Sequence, residues 1–414
     1  MAALGSYFLD LVYSFTNCMV CFPGSPQLKI NTRSFKILRL LGEGGFSYVY
    51  LVQDTSNQQL WALKKIRCPF GQESVSLALK EVEAYSLFSP HPNIIHSIDY
   101  SVASDKSDPG AKTVYIVLPY YRRGNLQDMI NANLVNHTKF PEKRLMVLFL
   151  GVCRALKAMH QYKVQGGPGG AASQNKAKRV RQEAARADAD AAEEVEMSAS
   201  RRRGANGNQD QEEMEQEPLM EDEVTISQEG IAPGGERAYA HRDIKPGNIM
   251  IADDGKTPIL MDLGSLAPSP TPITSRSLAL AVQDTAGEHS TMPYRAPELF
   301  DVKTGSTIDT KVDIWSLGCT LYACLVGKSP FEARSEETGG SLSMCVLGGD
   351  WRFPDEVPHR GKQPAPIEEA ISDNVKEVVR KCLQVEASER PDVDELIRIV
   401  EDVIVTLPGD GTEE

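Results

Sequence analysis

His241-Arg242-Asp243-Ile244-Lys245-Pro246-Gly247-Asn248 is followed, fourteen residues after its asparagine, by Asp262-Leu263-Gly264. An aspartate such as Asp243 can accept the proton of an attacking hydroxyl. Two residues on, Lys245 can steady charge on a transferring phosphoryl group. Asn248 can ligate a metal through its amide oxygen. Asp262 directly follows the apolar strand Ile259-Leu260-Met261. A carboxylate at a strand end is well placed to hold Mg²⁺ against phosphates. One such run arises by chance; two in this order and spacing do not.

Upstream, Leu41-Gly42-Glu43-Gly44-Gly45-Phe46-Ser47-Tyr48-Val49 lies between two strand-like runs, Phe35 to Leu40 and Tyr48 to Val52. Glycines there let backbone N–H groups approach phosphate oxygens with no Cβ in the way. Alone, such a hairpin is more often a plain turn, and it lacks the Gly-Lys-Ser/Thr ending of a Walker loop. A third strand, Leu60 to Ile66, carries Ala62-Leu63-Lys64. Helical spacing over Ser74–Phe88 puts Val75, Leu79, Val82 and Leu87 on one side and adds Glu81. A Lys64–Glu81 pair beside a phosphate cradle would hold the α- and β-phosphates. Lys65 and Glu83 compete for these roles, and periodicity does not separate them.

Val114 to Leu118 reads as a short apolar strand, followed by Pro119. Pro141 to His160 reads as a long buried helix with proline in its first turn. Further helices are predicted over Ile308–Val326, near Ile371–Leu383 and over Val393–Ile404. Residues 165–237 break the pattern. They open Gly166-Gly167-Pro168-Gly169-Gly170, turn Ala/Arg/Asp/Glu-rich, and carry Arg201-Arg202-Arg203 and a glutamate-dense run from Glu212 to Glu223. Few aromatics and little apolar periodicity predict a disordered insertion, with the fold resuming at Tyr239.

With 414 residues, 41% hydrophobic and 24% charged, the chain has the composition of an ordinary soluble protein. A net charge of −13 argues against general nucleic-acid binding, which needs a basic face. Eight scattered cysteines are no disulfide framework and suit a reducing compartment. At the start, Leu4, Phe8, Leu11, Val12, Phe15, Met19 and Phe22 recur at three- and four-residue steps. No basic residue precedes them, and Asp10 and Asn17 interrupt the stripe, so neither a signal peptide nor a membrane crossing is expected. An interfacial helix with acylated Cys18 and Cys21 is the reading weighed against a helix packed on the domain.

Taken together, the glycine loop, Lys64, Glu81, His-Arg-Asp, Asp-Leu-Gly and Ala296-Pro297-Glu298 resemble the eukaryotic protein-kinase family. The likeness continues through Asp313-Ile314-Trp315-Ser316-Leu317-Gly318 to Arg390 and covers about residues 31–164 and 238–405. It implies an α+β, two-lobed fold: a small five-stranded antiparallel sheet with one helix at 31–118, and a larger mainly helical lobe at 119–405. The implied order leaves an N-terminal segment at 1–30, the insertion at 165–237, a tail at 406–414, and ATP in the cleft. The implied base is Asp243, assisted by Lys245; Asn248 and Asp262 hold Mg²⁺, and Lys64, fixed by Glu81, holds phosphates. Residues Leu41 to Ser47 would cover the nucleotide. Val49 and Ala62 would roof the adenine and Met250 would floor it. Leu118 would be the gatekeeper, with Pro119, Tyr120 and Tyr121 as hinge. Thr291 would line the substrate site, Glu298 would pair with Arg390, and Asp313 would anchor the catalytic-loop backbone.

Lys245 and Thr291 resemble the serine/threonine rather than the tyrosine kinases. Ser47 replaces a third glycine and Leu263 a phenylalanine, neither of them a phosphate or metal ligand. Both departures fit a narrower group. Leu41 to Val49 and Met261-Asp262-Leu263-Gly264-Ser265 resemble the Numb-associated kinase family. Tyr294-Arg295-Ala296-Pro297-Glu298-Leu299-Phe300 and the cysteines near the start resemble its lipid-modified, membrane-associated branch and the fungal vacuolar form. That implies a peripheral kinase on the cytoplasmic side of Golgi or vacuolar membranes, acting on Ser/Thr hydroxyls of proteins. Gly247 stands where many base-directed kinases carry glutamate, which weakens the case for an arginine-requiring substrate. Arg242 before the base implies control by a phosphate in the activation segment. There Ser269, Thr271, Thr274, Ser275, Ser277, Thr285, Ser290 and Thr291 make autophosphorylation an expectation. The rival classes are a pseudokinase and a membrane-tethered scaffold; the first would have lost Lys64, Asp243 or Asp262, and none is lost.

Overall fold

The computed structural model describes residues 27–69, 72–104, 111–163, 235–356 and 370–409. The expected amphipathic segment with Cys18 and Cys21, nearly all of the expected insertion, and residues 410–414 lie outside the described residues. The chain divides into two compact units.

The first unit, within residues 27–82 and 96–120, contains β1 (Gln27–Ile30), β2 (Arg33–Glu43), β3 (Ser47–Asp54), β4 (Leu60–Cys68), α1 (Gln72–Leu87, its last turn counted with the second unit), β5 (Asp99–Ser104) and β6 (Lys112–Pro119). They form one antiparallel sheet in the order β1-β2-β3-β4-β6-β5. The sheet has six strands where five were expected, because Gln27–Ile30 belongs to it rather than to an N-terminal segment. A four-residue strand is too short to show alternation. It is tied in by Asn31, at φ +52°, whose amide donates to Asp99 Oδ1 at 2.9 Å and the Tyr100 carbonyl at 3.0 Å.

Strand register sorts the side chains. Tyr50, Leu63 and Val117 are mutually paired, and with Val52, Ile30 and Phe35 they form a buried core cluster on one face. Their neighbours point the other way, since successive strand residues alternate. The pairings Val49–Lys64–Ile116 and Leu51–Ala62–Leu118 therefore put Val49, Ala62, Lys64 and Leu118 together on the opposite face. Lys65 is paired with Tyr48 and Tyr115 and shares the face of the core cluster.

The second unit begins its own helices with α2 (Leu126–Asn136), started by a capping box between Asn125 and Asp128. α3 (Glu142–His160) is buried along most of its length. Pro141 is its N-cap rather than a first-turn residue, its φ of −57° already suited to helix entry. Next come β7 (Tyr162–Lys163), β8 (Glu236–Ala240), β9 (Ile249–Ile251), β10 (Pro258–Leu260), β11 (Ala267–Ser269), β12 (Thr271–Pro272), α4 (Arg276–His289) and β13 (Thr307–Ile308). The chain closes with α5 (Lys311–Val326), α6 (Pro330–Thr338), α7 (Leu342–Gly348), α8 (Asp373–Cys382) and α9 (Val393–Thr406).

Several boundaries differ from expectation. β8 starts at Glu236, inside the span assigned to the insertion, because it pairs with both β7 and β11. Tyr239 on it packs edge-on against Phe88 and Tyr162, with ring centroids 5.8 and 5.7 Å away. α5 begins at Lys311, since Ile308 is taken by pairing with Thr271. α9 runs to Thr406, and the buried Leu407 accepts from Lys143 Nζ at 3.1 Å, so the packed lobe extends past 405. The largest omission is α4, in a stretch read only as hydroxyl-rich. Ser275 caps its start by accepting from Leu278 N–H, and Ala279, Val282 and Ala286 form its buried stripe.

α5 is apolar on nearly every side and buried from Val312 to Cys324. A Cβ on Gly318 would lie 2.5 Å from that of Cys382, so only glycine lets α8 approach this closely. α3 packs on β10 the same way, with Gly151 leaving room for Pro258. The second contact holds the β9–β10 hairpin against α3.

Candidate active site

In the first unit, β4 and α1 bring Lys64 Nζ to 2.7 Å from Glu81 Oε1, both side chains largely buried. Of the residues left open by periodicity, Lys64 and Glu81 make this contact, and register places Lys65 on the other face of the sheet. The turn from β2 to β3 is held by Gly44 N–H to the Ser47 carbonyl at 2.8 Å. Among the described residues other than their chain neighbours, nothing lies within 4 Å of where a Cβ on Gly42 or Gly45 would stand. Leu41 is half-buried, while Gly42 to Phe46 are exposed, Phe46 at 58%. Leu118 is buried near the end of β6. The division between units falls between Tyr120 and Tyr121, within the expected hinge.

The second unit assembles the rest around Asp313, in the first turn of α5. Its Oδ2 accepts from the His241 backbone N–H at 2.8 Å and contacts His160 Nε2 at 2.9 Å. Its Oδ1 accepts from the Arg242 N–H at 2.8 Å. Burial pushes the Asp313 carboxyl up, but the His160 hydrogen bond, the charges of His160 and His241 and the Arg242 N–H outweigh it and hold it below the ordinary carboxylate range. The anchored loop passes through Arg242 at φ +67°, a left-handed conformation strained for a non-glycine residue. Arg242 donates to Thr271 Oγ1 at 3.3 Å, while its Nε is shielded from solvent with no acceptor among the described residues.

Asp243, 8% exposed, receives four donors. Its Oδ1 accepts from Thr291 N–H at 2.9 Å and Thr291 Oγ1 at 2.7 Å. Its Oδ2 accepts from Lys245 Nζ at 2.7 Å and Asn248 Nδ2 at 2.9 Å. Lys245 also donates to Thr291 Oγ1 at 2.6 Å. Asn248 Nδ2 bonds the Asp243 carbonyl as well, which leaves the amide oxygen as the atom that could take a cation. Met261 is clamped by the same loop: its N–H donates to the Asn248 carbonyl, and its carbonyl contacts His241 Nε2, both at 3.0 Å. Asp262 follows at φ +61°, ψ +73°, like Arg242 a non-glycine residue held in the left-handed region. Met250 on β9 is half-buried and pairs with Ile259.

Behind the site, Arg390 meets Glu298 in a two-pronged ion pair at 2.7 and 2.8 Å. Two residues that stand in the family-like runs but were given no role of their own, Arg295 and Ser265, also belong to this region. Arg295 donates from Nε to Ser290 Oγ at 2.7 Å, and Ser265 donates to the His289 carbonyl at 2.6 Å. Their signal was membership of the runs Tyr294–Phe300 and Met261–Ser265, which carried a likeness but no side-chain role.

A model of the protein kinase domain matches residues 35–165 and 235–399. Among characterised proteins, the chain is 35% identical over 386 residues to serine/threonine-protein kinase ENV7 of Saccharomyces cerevisiae, covering 91% of this chain and 93% of that protein. It is 33% identical to serine/threonine-protein kinase ppk13 of Schizosaccharomyces pombe, over 92% of each chain. With serine/threonine-protein kinase 16 of Homo sapiens it shares 27% identity over 95% of this chain and 98% of the relative. With matches of this extent falling on the same loops that converge on Asp243 and Asp313, the chain belongs to the protein kinase family and is a serine/threonine protein kinase.

Proposed function

We propose that this kinase uses Asp243 as the base for the substrate hydroxyl and Lys245 to steady the transferring phosphoryl group. Lys64, held by Glu81, takes the phosphates of ATP, with Gly42, Glu43, Gly44, Gly45, Phe46 and Ser47 over them. Val49, Ala62, Leu118 and Met250 take the adenine. Asn248 and Asp262 hold Mg²⁺, whose charge, when it is bound, offsets that of the phosphates. The observation that carries this reading is the set of four donors around Asp243, which fixes one carboxylate in one orientation. The metal assignment fits the donors present. Among the described residues no group of three His, Cys, Asp or Glu side chains could cage an ion. An amide oxygen and one carboxylate are instead what Mg²⁺ takes when nucleotide phosphates and water complete its shell.

The enzyme also phosphorylates itself, at Thr274, Ser277 or Thr285, the hydroxyls exposed along the activation segment; Ser269 and Thr271 are buried. It sits peripherally on Golgi or vacuolar membranes through its N-terminal stripe and acylated Cys18 and Cys21. Support for that comes from the stripe and the paired cysteines; among the described residues no helix is long and apolar enough to cross a membrane.

Radiolabelled ATP given to the wild type and to Asp262→Ala is the direct test. Label should enter both a protein substrate and the wild-type kinase, and fall to background in the variant or on chelation of Mg²⁺. Equal labelling by the two proteins would remove Asp262 from the site. For the membrane reading, cell fractionation of the Cys18/Cys21 double variant should move the protein to the soluble fraction. A double variant that stays wholly with membranes would dismiss acylation as the anchor.

A further inference from the structure

Helices end with carbonyl groups that lack intrahelical partners and with a partial negative charge. Among the described residues two side chains from outside the helix close the C-terminus of α4: Ser265 at the His289 carbonyl and, with more bonds, Arg295. Besides its Nε bond to Ser290 Oγ, its Nη2 donates to the Gly287 carbonyl at 3.3 Å and the Ser290 carbonyl at 3.1 Å. Ser290 Oγ in turn donates to the Ala286 carbonyl at 2.6 Å, so the hydroxyl relays between guanidinium and helix. Arg295 is 9% exposed, and its guanidinium lies over the Phe300 ring, 4.9 Å from the centroid.

The residue after this cap is Thr291, which gives Asp243 two of its four hydrogen bonds. The residue before it, His289, accepts from Ser265, the last residue of the turn that Asp262 opens. Both the base and the metal-side loop are therefore tied to one helix end.

We propose that Arg295 is a positioning residue for phosphoryl transfer: by closing the end of α4 through Ser290, it holds Thr291 against Asp243. Arg295 touches no reacting atom. It acts through Thr291, and this rests on the reading of Asp243 as the base.

Misplacing a catalytic group by about 1 Å costs about 100-fold in rate. Arg295→Ala should accordingly lower kcat about 10- to 100-fold and leave KM for ATP unchanged. Arg295→Lys should recover part of the loss, since an ammonium cannot present the fork that reaches Ser290 Oγ and the two carbonyls together. The deciding measurement is a double-mutant cycle with Thr291→Val. If Arg295 acts through Thr291, adding Arg295→Ala to Thr291→Val should lower kcat little further. Losses that multiply in full, or an Arg295→Ala variant with wild-type kcat, would overturn the proposal. A purely structural arginine would lower the melting temperature equally in both backgrounds and show no such kinetic coupling. Should Arg295→Ala not fold, Ser290→Ala breaks the relay with the arginine in place and enters the same cycle. An inactive wild type would strike at Asp243 as base, whereas an active wild type with an equally active Arg295→Ala variant defeats this inference alone.

Discussion

Asp243→Asn is expected to lower kcat about 100- to 10,000-fold, the range that a positioned general base contributes. The substitution keeps the shape of the side chain and removes only its charge and half its accepting capacity. In the wild type both carboxylate oxygens accept, Oδ1 from Thr291 and Oδ2 from Lys245 and Asn248. An amide nitrogen put at either place faces donors instead of supplying acceptance. The variant thus loses the charged acceptor and one set of its hydrogen bonds, those from Thr291 or those from Lys245 and Asn248. Because Lys64 and Glu81 are untouched, KM for ATP should change little. Steady-state kinetics on purified wild type and variant, each checked by thermal melting, decides it. A variant within a few fold of wild type would mean that the hydroxyl proton leaves by another route.

Arg390→Ala is expected to remove about 3–5 kcal/mol of stability, the usual cost of breaking a buried ion pair from one side. The Arg390 side chain has no exposed surface, and every donor it has is used. Besides its two bonds to Glu298, Nε donates to the Gln384 carbonyl at 2.8 Å, Nη1 to the Lys311 carbonyl at 3.0 Å and Nη2 to the Val385 carbonyl at 2.9 Å. Its guanidinium also stacks 5.0 Å from the Trp315 ring centroid. Alanine would leave a carboxylate and three carbonyls without these donors, and a cavity against the indole. At about 2–4 °C per kcal/mol for a domain of this size, the melting temperature should fall by roughly 10 °C. Lysine should restore only part, lacking the fork. Calorimetry showing a loss under about 1 kcal/mol would mean that water replaces the guanidinium, contrary to its burial.

Much of the site was legible because its chemistry is local. Asp243, Lys245 and Asn248 lie within six residues, and their donors and acceptors meet across a single turn. Asp262 stands at a strand end that Ile259-Leu260-Met261 announces by composition. What did not show was whatever depends on pairing with distant chain. β1 is four residues long and is stabilised by β2 and by Asn31 reaching to Asp99. β8 opens with Glu236 and Arg237, which read as insertion until they find β7. In α4 the stripe Ala279, Val282, Ala286 was present, but small residues bury little area and the hydroxyls around them read as loop.

The order of motifs and the role each residue type can play follow from the amino-acid sequence alone, since side-chain chemistry and local periodicity need no partner. The two-lobed class followed from the family those motifs resemble. Tertiary structure alone put Lys64 on the face of Val49, Ala62 and Leu118 and Lys65 on the other, because a one-residue step in register sends a side chain to the opposite face of a sheet. It alone brought Arg295 and Ser265 to the end of α4. A hydrogen bond between residues distant in the chain exists only once packing has met the entropy of bringing them together, and no spacing along the chain records that.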